Sequence, residues 1–295
     1  MKAESHSHLA IRAACEVATE LGLTFERAIV LQHRSNAIIR LFPTDIVARV
    51  ATIPETVRQG HDWFIHEMAV ARYLAATDAP IIPPSSDIDP GLHQHSGLVL
   101  GFWKFVEILE QPFDPYQAGQ TLRACHQALK TFSGDLPTLA LLTEARQLLV
   151  QTVAAELSPA DVDLLMQVGE RAHQQLSQLP MQPLHGDSHS GNVLNTSQGV
   201  FWTDWEDTFI GPVEWDLACL VAAPYVLGTD WEKAEAALQG YGDAIDFEVL
   251  ENCIVARTFV SVIWYVILQQ QRPAAGRLAQ LEHYLNWLRQ REGRT

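Results

Sequence analysis

The sequence predicts an α+β protein: a small antiparallel sheet with one embedded helix up to about residue 106, then a larger, mostly helical part. Three observations carry this prediction. Short β-branched and apolar runs (28–32, 37–42, 46–53 and 97–106) gather in the first third of the chain. Beyond them, apolar residues recur at three- and four-residue spacing through one segment after another. The composition, 47% apolar and 19% charged over 295 residues, is that of a folded chain of one large or two modest domains. It excludes disorder, collagen and coiled coil.

Taken in order, Ser5 to Leu21 is an amphipathic helix, with Leu9, Ala13, Val17 and Leu21 four apart. Two of the β runs, Ala37 to Phe42 and Ile46 to Ile53, are joined by a Pro43-Thr44-Asp45 turn. Glu55 to Ala76 is helical, a proline-rich connection follows (Pro80, Pro83, Pro84, Pro90), and Gly97 to Val106 is a further strand. Helices are then expected over Asp114–Phe132, Leu136–Glu156, Pro159–Leu179, Pro212–Ala223, Asp230–Gln239, Phe247–Gln271 and Pro273–Arg291. One hairpin interrupts them: Asn192 to Asn195, a Thr-Ser-Gln-Gly turn, then Val200 to Trp205. The domain boundary falls near residue 106, giving domains 1–106 and 107–295. Trp215, Trp231, Trp264 and Trp287 read as core residues of the second.

Acidic residues outnumber basic ones 35 to 20, a formal charge of −15, the wrong sign for coating a nucleic-acid backbone. The imbalance is uneven: residues 1–106 hold 11 acids and 9 bases, residues 107–295 hold 24 and 11. Thr258 to Leu268, the most apolar stretch, is too short to span a bilayer, so no membrane is expected. The opening residues are polar, and the four cysteines lie far apart with no CxxC pair. Reduced thiols and a cytoplasmic location are the expectation.

The chemistry concentrates in Leu184-His185-Gly186-Asp187-Ser188-His189-Ser190-Gly191-Asn192 and in Asp204 after the hairpin. A tight loop can aim Asp187 and Asn192, five apart, into one cleft, and the hairpin returns Asp204 near Asn192. Two oxygen donors suit a hard cation such as Mg²⁺, which binds through few protein oxygens and substrate phosphates. Asp187 is then left to take a hydroxyl proton.

That arrangement resembles the aminoglycoside phosphotransferase and choline kinase-related family of small-molecule kinases. His185, Gly186, Asp187, His189 and Asn192 match its HGDxHxxN motif, and Thr203-Asp204-Trp205-Glu206 its I-D-W-E-like strand. Gly211-Pro212-Val213-Glu214-Trp215-Asp216-Leu217-Ala218 resembles its G-P-x-x-x-D-L-A, whose Asp is structural. The resemblance implies a bilobal, protein kinase-like fold, ATP and Mg²⁺ as cofactors, and γ-phosphate transfer to a hydroxyl of a small-molecule acceptor. It further implies that Asp187 is the base, that Asn192 and Asp204 hold the metal, that His185 braces the loop and that His189 lines it. The acid excess of 107–295 suits an amine-bearing acceptor. Glu206 and Asp207 either touch such a substrate or bond backbone groups.

The chain departs from the family in two places. No lysine lies in the third strand, where the family has a phosphate-binding Lys paired with a helix Glu; the matching position is Arg49, and Glu67 is its expected partner. A carboxylate on the apolar stripe of Trp63, Val70 and Leu74 needs such a cation. No glycine occurs between Gly22 and Gly60, so Ser35 and Asn36, with Arg34 beside them, would stand in for a glycine-rich phosphate loop. The adenine-facing connection falls at Phe102–Glu107, with Trp103 and Phe105 as candidate nucleotide contacts. The rival reading is a binding-only protein of the same fold that transfers nothing; two-metal phosphoesterase, Walker and dinucleotide motifs all fail for want of partners.

Overall fold

A computed structural model of the chain describes residues 6–33, 36–51, 62–242, 245–271 and 273–292. They divide into two compact units. The first takes the chain up to Pro112 together with Leu194–Glu206; the second takes Phe113–Val193 and everything from Asp207 onward. The first unit therefore ends a few residues beyond the expected boundary and recruits the hairpin from the other half of the sequence.

The first unit is a five-stranded antiparallel sheet flanked by two helices, α1 (His6–Glu20) and α2 (Asp62–Ala76). Its strands β1 (Arg27–His33), β2 (Asn36–Phe42), β3 (Ile46–Ala51), β4 (His93–His95) and β5 (Leu98–Lys104) lie in the order β1-β2-β3-β5-β4. Alternation sorts the side chains. Ala37, Ile39 and Leu41, Ile46, Ala48 and Val50, and Leu100 and Phe102 meet Ala10, Ala14, Val17 and Ala18 of α1 in one core. Val47 and Arg49 take the opposite face of β3, and that face is buried too. Arg49 pairs across with Gly101 of β5, where a Cβ would stand 2.4 Å from the Phe64 ring. The missing side chain lets α2 approach closely, so Glu67, one turn beyond Phe64, faces the sheet and is 1% exposed.

The hairpin of β7 (Val193–Thr196) and β8 (Gly199–Trp202) is stitched into this unit. Trp202 donates to Pro80 (2.9 Å), Ile82 donates to Trp202 (3.0 Å) and Leu109 donates to Asn195 (2.8 Å). The predicted second strand stops at Trp202, and Asp204 follows in a left-handed conformation (φ 68°) that Asp tolerates better than most residues.

The second unit is built of α3 (Pro115–Leu129), α4 (Ala140–Leu148), α5 (Pro159–Leu176), α6 (Val213–Leu227), α7 (Trp231–Tyr241), α8 (Phe247–Gln271) and α9 (Ala275–Glu292). Caps fix several starts: Asp114 and Pro115 open α3, and Ser158 and Pro159 open α5. The helix expected from Leu136 begins only at Ala140, after Leu139 at φ 47°, and runs on through a π turn and a 3₁₀ turn to Glu156. Where Pro224 argues for a stop near Ala223, α6 instead continues to a left-handed Gly228, whose N–H bonds the Pro224 carbonyl. A short sheet with no sequence signal, β6 (Gln182–Leu184) against β9 (Phe209–Gly211), frames the loop that begins at His185.

Long and apolar as α8 is, most of it is interior: it packs against α4, α5, α6 and α9. Of the four tryptophans assigned to the core, Trp215 is fully buried, while Trp264 and Trp287 are half-buried. Trp231 is a correction: it is 45% exposed, because it opens α7 on the outer side and stacks on Tyr225 at 4.5 Å instead of packing inward.

Helices α3 and α7 cross at two glycines. A Cβ on Gly119 would lie 2.0 Å from the Ala237 carbonyl oxygen, and one on Gly240 would lie 1.9 Å from that of Tyr116. Gly240→Ala is therefore expected to destabilise the chain by about 1–3 kcal/mol or more, read as a lower midpoint in urea, whereas Gly276→Ala, in open space, should leave it unchanged.

Candidate active site

In the second unit, the segment His185–Asn192 leaves β6 as a loop held from below by Asp216 on α6. The Asp216 side chain is fully buried and accepts from the backbone N–H of His185 (2.8 Å), from that of Gly186 (2.9 Å) and from His126 Nε2 (2.8 Å). The backbone carbonyl of Asp216 accepts from Ser188 Oγ (2.7 Å). Burial alone would raise the Asp216 carboxyl; hydrogen bonds and charge from His126 and His185 outweigh it and hold it below the ordinary range. Gly186 sits at φ 87°, and a Cβ there would be 2.0 Å from the Asp207 carbonyl oxygen, so no other residue fits. Trp215 Nε1 donates to the Gly186 carbonyl at 2.7 Å.

Upon this base stands Asp187. Asn192, 7% exposed, donates from Nδ2 to the Asp187 backbone carbonyl at 2.9 Å. His185 is fully buried, and its Nδ1 accepts from the Asp187 N–H (3.3 Å). His189 caps the turn, its Nδ1 accepting from Gly191 N (2.9 Å), which leaves the Nε2 proton toward Asp187 Oδ2 at 3.5 Å. The carboxylate itself is claimed by a residue that sequence reasoning missed. Arg257 of α8 donates from Nη2 to Asp187 Oδ1 at 2.6 Å. Burial raises the Asp187 carboxyl, but Arg257, His189 and His185 more than reverse it, and Asp187 is an anion at neutral pH. A signal was present: Arg257 is the single charged residue between Asn252 and Gln271, and a lone charge in an apolar helix needs a partner.

In the first unit, Arg49 is the centre of a second constellation. Its Nη1 donates to Glu67, and its Nη2 donates to Asp204 Oδ1 at 2.7 Å and to Glu206. With its amide oxygen turned toward the guanidinium, Asn36 adds acceptor contacts at 2.9 and 3.2 Å. Three carboxylates thus surround one cation. Burial pushes the Glu67 carboxyl up; Arg49 opposes this, but Asp204 and Glu206 add to it, and the result is about 8. Its Oε1 is buried with no hydrogen-bond partner, so Arg49 alone offsets the loss of hydration.

The remaining expected site residues fall as follows. Ser35, with Arg34, lies outside the described residues. Asn36 is on β2 beside Arg49 rather than in a turn. Trp103 is 6% exposed within the sheet, paired with Val47. Phe105 gives its N–H to the Asp45 carbonyl (2.8 Å), and its ring is covered by Arg40 at 3.5 Å. That N–H is therefore committed to the turn between β2 and β3. Glu206 pairs with Arg49, and Asp207 is half-buried with its carbonyl against Gly186. Among the described residues, no group of three or more His, Cys, Asp or Glu is arranged to hold a metal.

Residues 39–251, well over half of the chain, match the model of the phosphotransferase enzyme family, APH. The chain belongs to this family. Among solved structures, it is similar to the amicoumacin kinase hAmiN bound to AMP-PNP, Ca²⁺ and Ami, with 16% identity, 98% of this chain and 96% of that one covered, and a TM-score of 0.70. It is similar also to the GDP complex of aminoglycoside 2'-phosphotransferase-IIIa, at 15% identity, 96% and 99% coverage and a TM-score of 0.68. Choline kinase LicA from Streptococcus pneumoniae aligns at 12% identity, 95% and 99% coverage and a TM-score of 0.65. No curated protein sequence matches the chain. The α+β, bilobal kinase-like fold expected from the motifs is the fold of this phosphotransferase.

Removing the one cation from the Arg49 cluster tests its electrostatics. Arg49→Met leaves the buried Glu67 carboxyl without its cation and is expected to cost about 3–5 kcal/mol. Glu67 already titrates above its free value of 4.5, so stability is present at low pH and is lost as the pH rises through about 8. The variant raises that carboxyl further, so its deficit in thermal midpoint should be larger at about pH 9 than at about pH 5. An equal deficit at both would disprove the cluster's excess negative charge. Asp216→Ala, which strands His126 and two backbone N–H groups, should lower the thermal midpoint at every pH between.

Proposed function

We propose that this phosphotransferase moves the γ-phosphate of ATP to a hydroxyl of a small-molecule acceptor. The observation that carries the reading is Asp187: an ionised carboxylate on a loop whose backbone is fixed by Asp216 and Asn192. Such a group can align a hydroxyl and accept its proton as the bond to phosphorus forms. Phosphoryl transfer asks little covalent chemistry of a protein; positioning and charge neutralisation supply most of the acceleration.

The Arg49 cluster supports a nucleotide and a cation in the first unit. Nucleotide phosphates would take the Nη2 hydrogen bonds now given to Asp204 and Glu206, leaving Glu67 to hold Nη1. The surplus negative charge then freed at Asp204 suits a hard divalent cation, and the Asn192 amide oxygen is of the same donor class. Asp204 and Asn192 would hold Mg²⁺, and the ion would neutralise the phosphates' negative charge. Arg49 in place of a lysine fits this role, since its fork grips phosphate oxygens and a carboxylate together. A binding-only role is the rival reading, and the departures at the phosphate loop are what favour it.

The acceptor is an alcohol, and an amine-bearing one is the choice that the acid excess of residues 107–295 favours. A cytoplasmic location fits the isolated cysteines, all free in the fold.

Turnover of ATP across a panel of hydroxylated amines, sugars and antibiotics is the deciding measurement. Asp187→Asn, which keeps an oxygen for Arg257, should retain the fold and MgATP affinity while lowering kcat by about 10²–10⁴-fold. Asp204→Asn should abolish turnover with the circular dichroism spectrum unchanged. ATP binding by calorimetry without ADP formation from any acceptor would establish the binding-only alternative.

A further inference from the structure

The contacts around Asp187 account for every part of the loop except the rotation of the carboxylate itself. Asp216 holds the two residues before it, Asn192 holds its carbonyl, and His185 takes its N–H. None of these touches Oδ1 or Oδ2. His189 approaches Oδ2, but 3.5 Å is beyond an ordinary hydrogen bond. The remaining contact is the charged one, Arg257 Nη2 to Oδ1 at 2.6 Å.

Arg257 is itself held rigidly. Its side chain is 11% exposed against 25% for Asp187, and its guanidinium lies 5.5 Å from the Trp215 ring centre. Trp215 is the residue whose indole bonds the Gly186 carbonyl, so one aromatic supports both the loop and the arginine that reads its carboxylate. Around the guanidinium stand Asp187, Asp207 and Cys219, whose thiol burial keeps neutral, and Tyr284 of α9 is close enough to feel its charge. Arg257 is the one charged residue of α8 between Asn252 and Gln271, and a buried charge there is costly unless a partner offsets it.

Resting on the kinase reading above, we infer that Arg257 is a positioning residue for the transfer: it fixes Asp187 Oδ1 and leaves Oδ2 as the oxygen that receives the acceptor hydroxyl. The pair is neutral as a whole, so the hydroxyl meets an oriented acceptor rather than an isolated negative charge. During transfer the hydroxyl oxygen bonds to the γ-phosphorus, the bond from that phosphorus to the bridging oxygen of ADP breaks, and the hydroxyl proton passes to Oδ2. Arg257 stays on Oδ1 and exchanges nothing.

The test is a comparison of Arg257→Met, which keeps the length and loses the charge, with Arg257→Lys. In Arg257→Met, kcat should fall by roughly 10²-fold with MgATP affinity unchanged. Arg257→Lys should recover part of that loss, because an ammonium can reach one oxygen without the planar fork. In an Asp187→Asn background the same methionine change should have almost no further effect, since Arg257 acts through that carboxylate. Additive losses, or a lysine variant no better than the methionine one, would overturn the inference. Crystal structures of the unmodified chain and of Arg257→Met provide a readout that needs no activity: the Asp187 side chain should turn or become disordered in the variant. An unchanged rotamer refutes the role of Arg257 even where turnover is robust. Failure of the unmodified chain to consume ATP with any acceptor refutes the kinase reading instead, whatever that rotamer does.

Discussion

A fully buried carboxylate, Asp216, is the constraint from which the second unit's arrangement follows. Taking an ionised group out of water is costly by several kcal/mol unless hydrogen bonds replace its hydration. Asp216 obtains them from two consecutive backbone N–H groups of one loop and from His126, so these partners belong to two elements besides its own. The loop after β6, helix α3 and helix α6 are thereby tied to one point. The tight path that brings two successive N–H groups onto one carboxylate requires the positive φ at Gly186 and its close approach to the Asp207 carbonyl. Asp187 inherits its position from this knot, one residue further along.

The two sets of carboxylates obey the same electrostatics with opposite results. Asp187 takes the hydrogen bond of one guanidinium and has two imidazoles nearby, and it is held ionised in spite of burial. Glu67 shares one guanidinium with two other acids, and it is pushed toward its neutral form. The first environment suits an acceptor of protons and hydrogen bonds. The second attracts positive charge, and the carboxylates least committed to it, Asp204 and Glu206, are also its more exposed members. The geometry of Arg49 follows from the sheet: alternation sends it to the face opposite the α1 core, and the bare Gly101 lets α2 bring Glu67 within reach.

Much of this was legible in the chain. The repeated three- and four-residue spacing located the helices, and the bounds of α8 coincide with those expected because its apolar run is long and ends at a glutamine tract. The HGDxHxxN segment and the Asp204 strand marked the chemistry because small residues, an amide and carboxylates at fixed spacing have few structural explanations. The family resemblance together with the cost of burying a lone carboxylate pairs Arg49 with Glu67, and the two side chains do meet. What escaped was whatever depends on an unpatterned partner. The three-residue strands β6 and β9 are too short to show alternation. Asn36 was placed in a turn that its strand pairing with Ala51 excludes, and Trp231 was put in the core on residue type.

Arg257 marks the boundary between the two kinds of knowledge. The sequence alone established that one charge sits amid apolar residues of a long helix, that Asp187 and Asn192 share a loop, and that Asp204 follows a hairpin; each is a statement about neighbours along the chain. Only the tertiary structure decided that this charge meets Asp187, seventy residues away, and that Arg49 gathers three acids rather than one. The reason is physical. Periodicity and propensity act over a few residues, whereas an ion pair is fixed by how helices and strands pack, and many distant carboxylates could have served either arginine equally well.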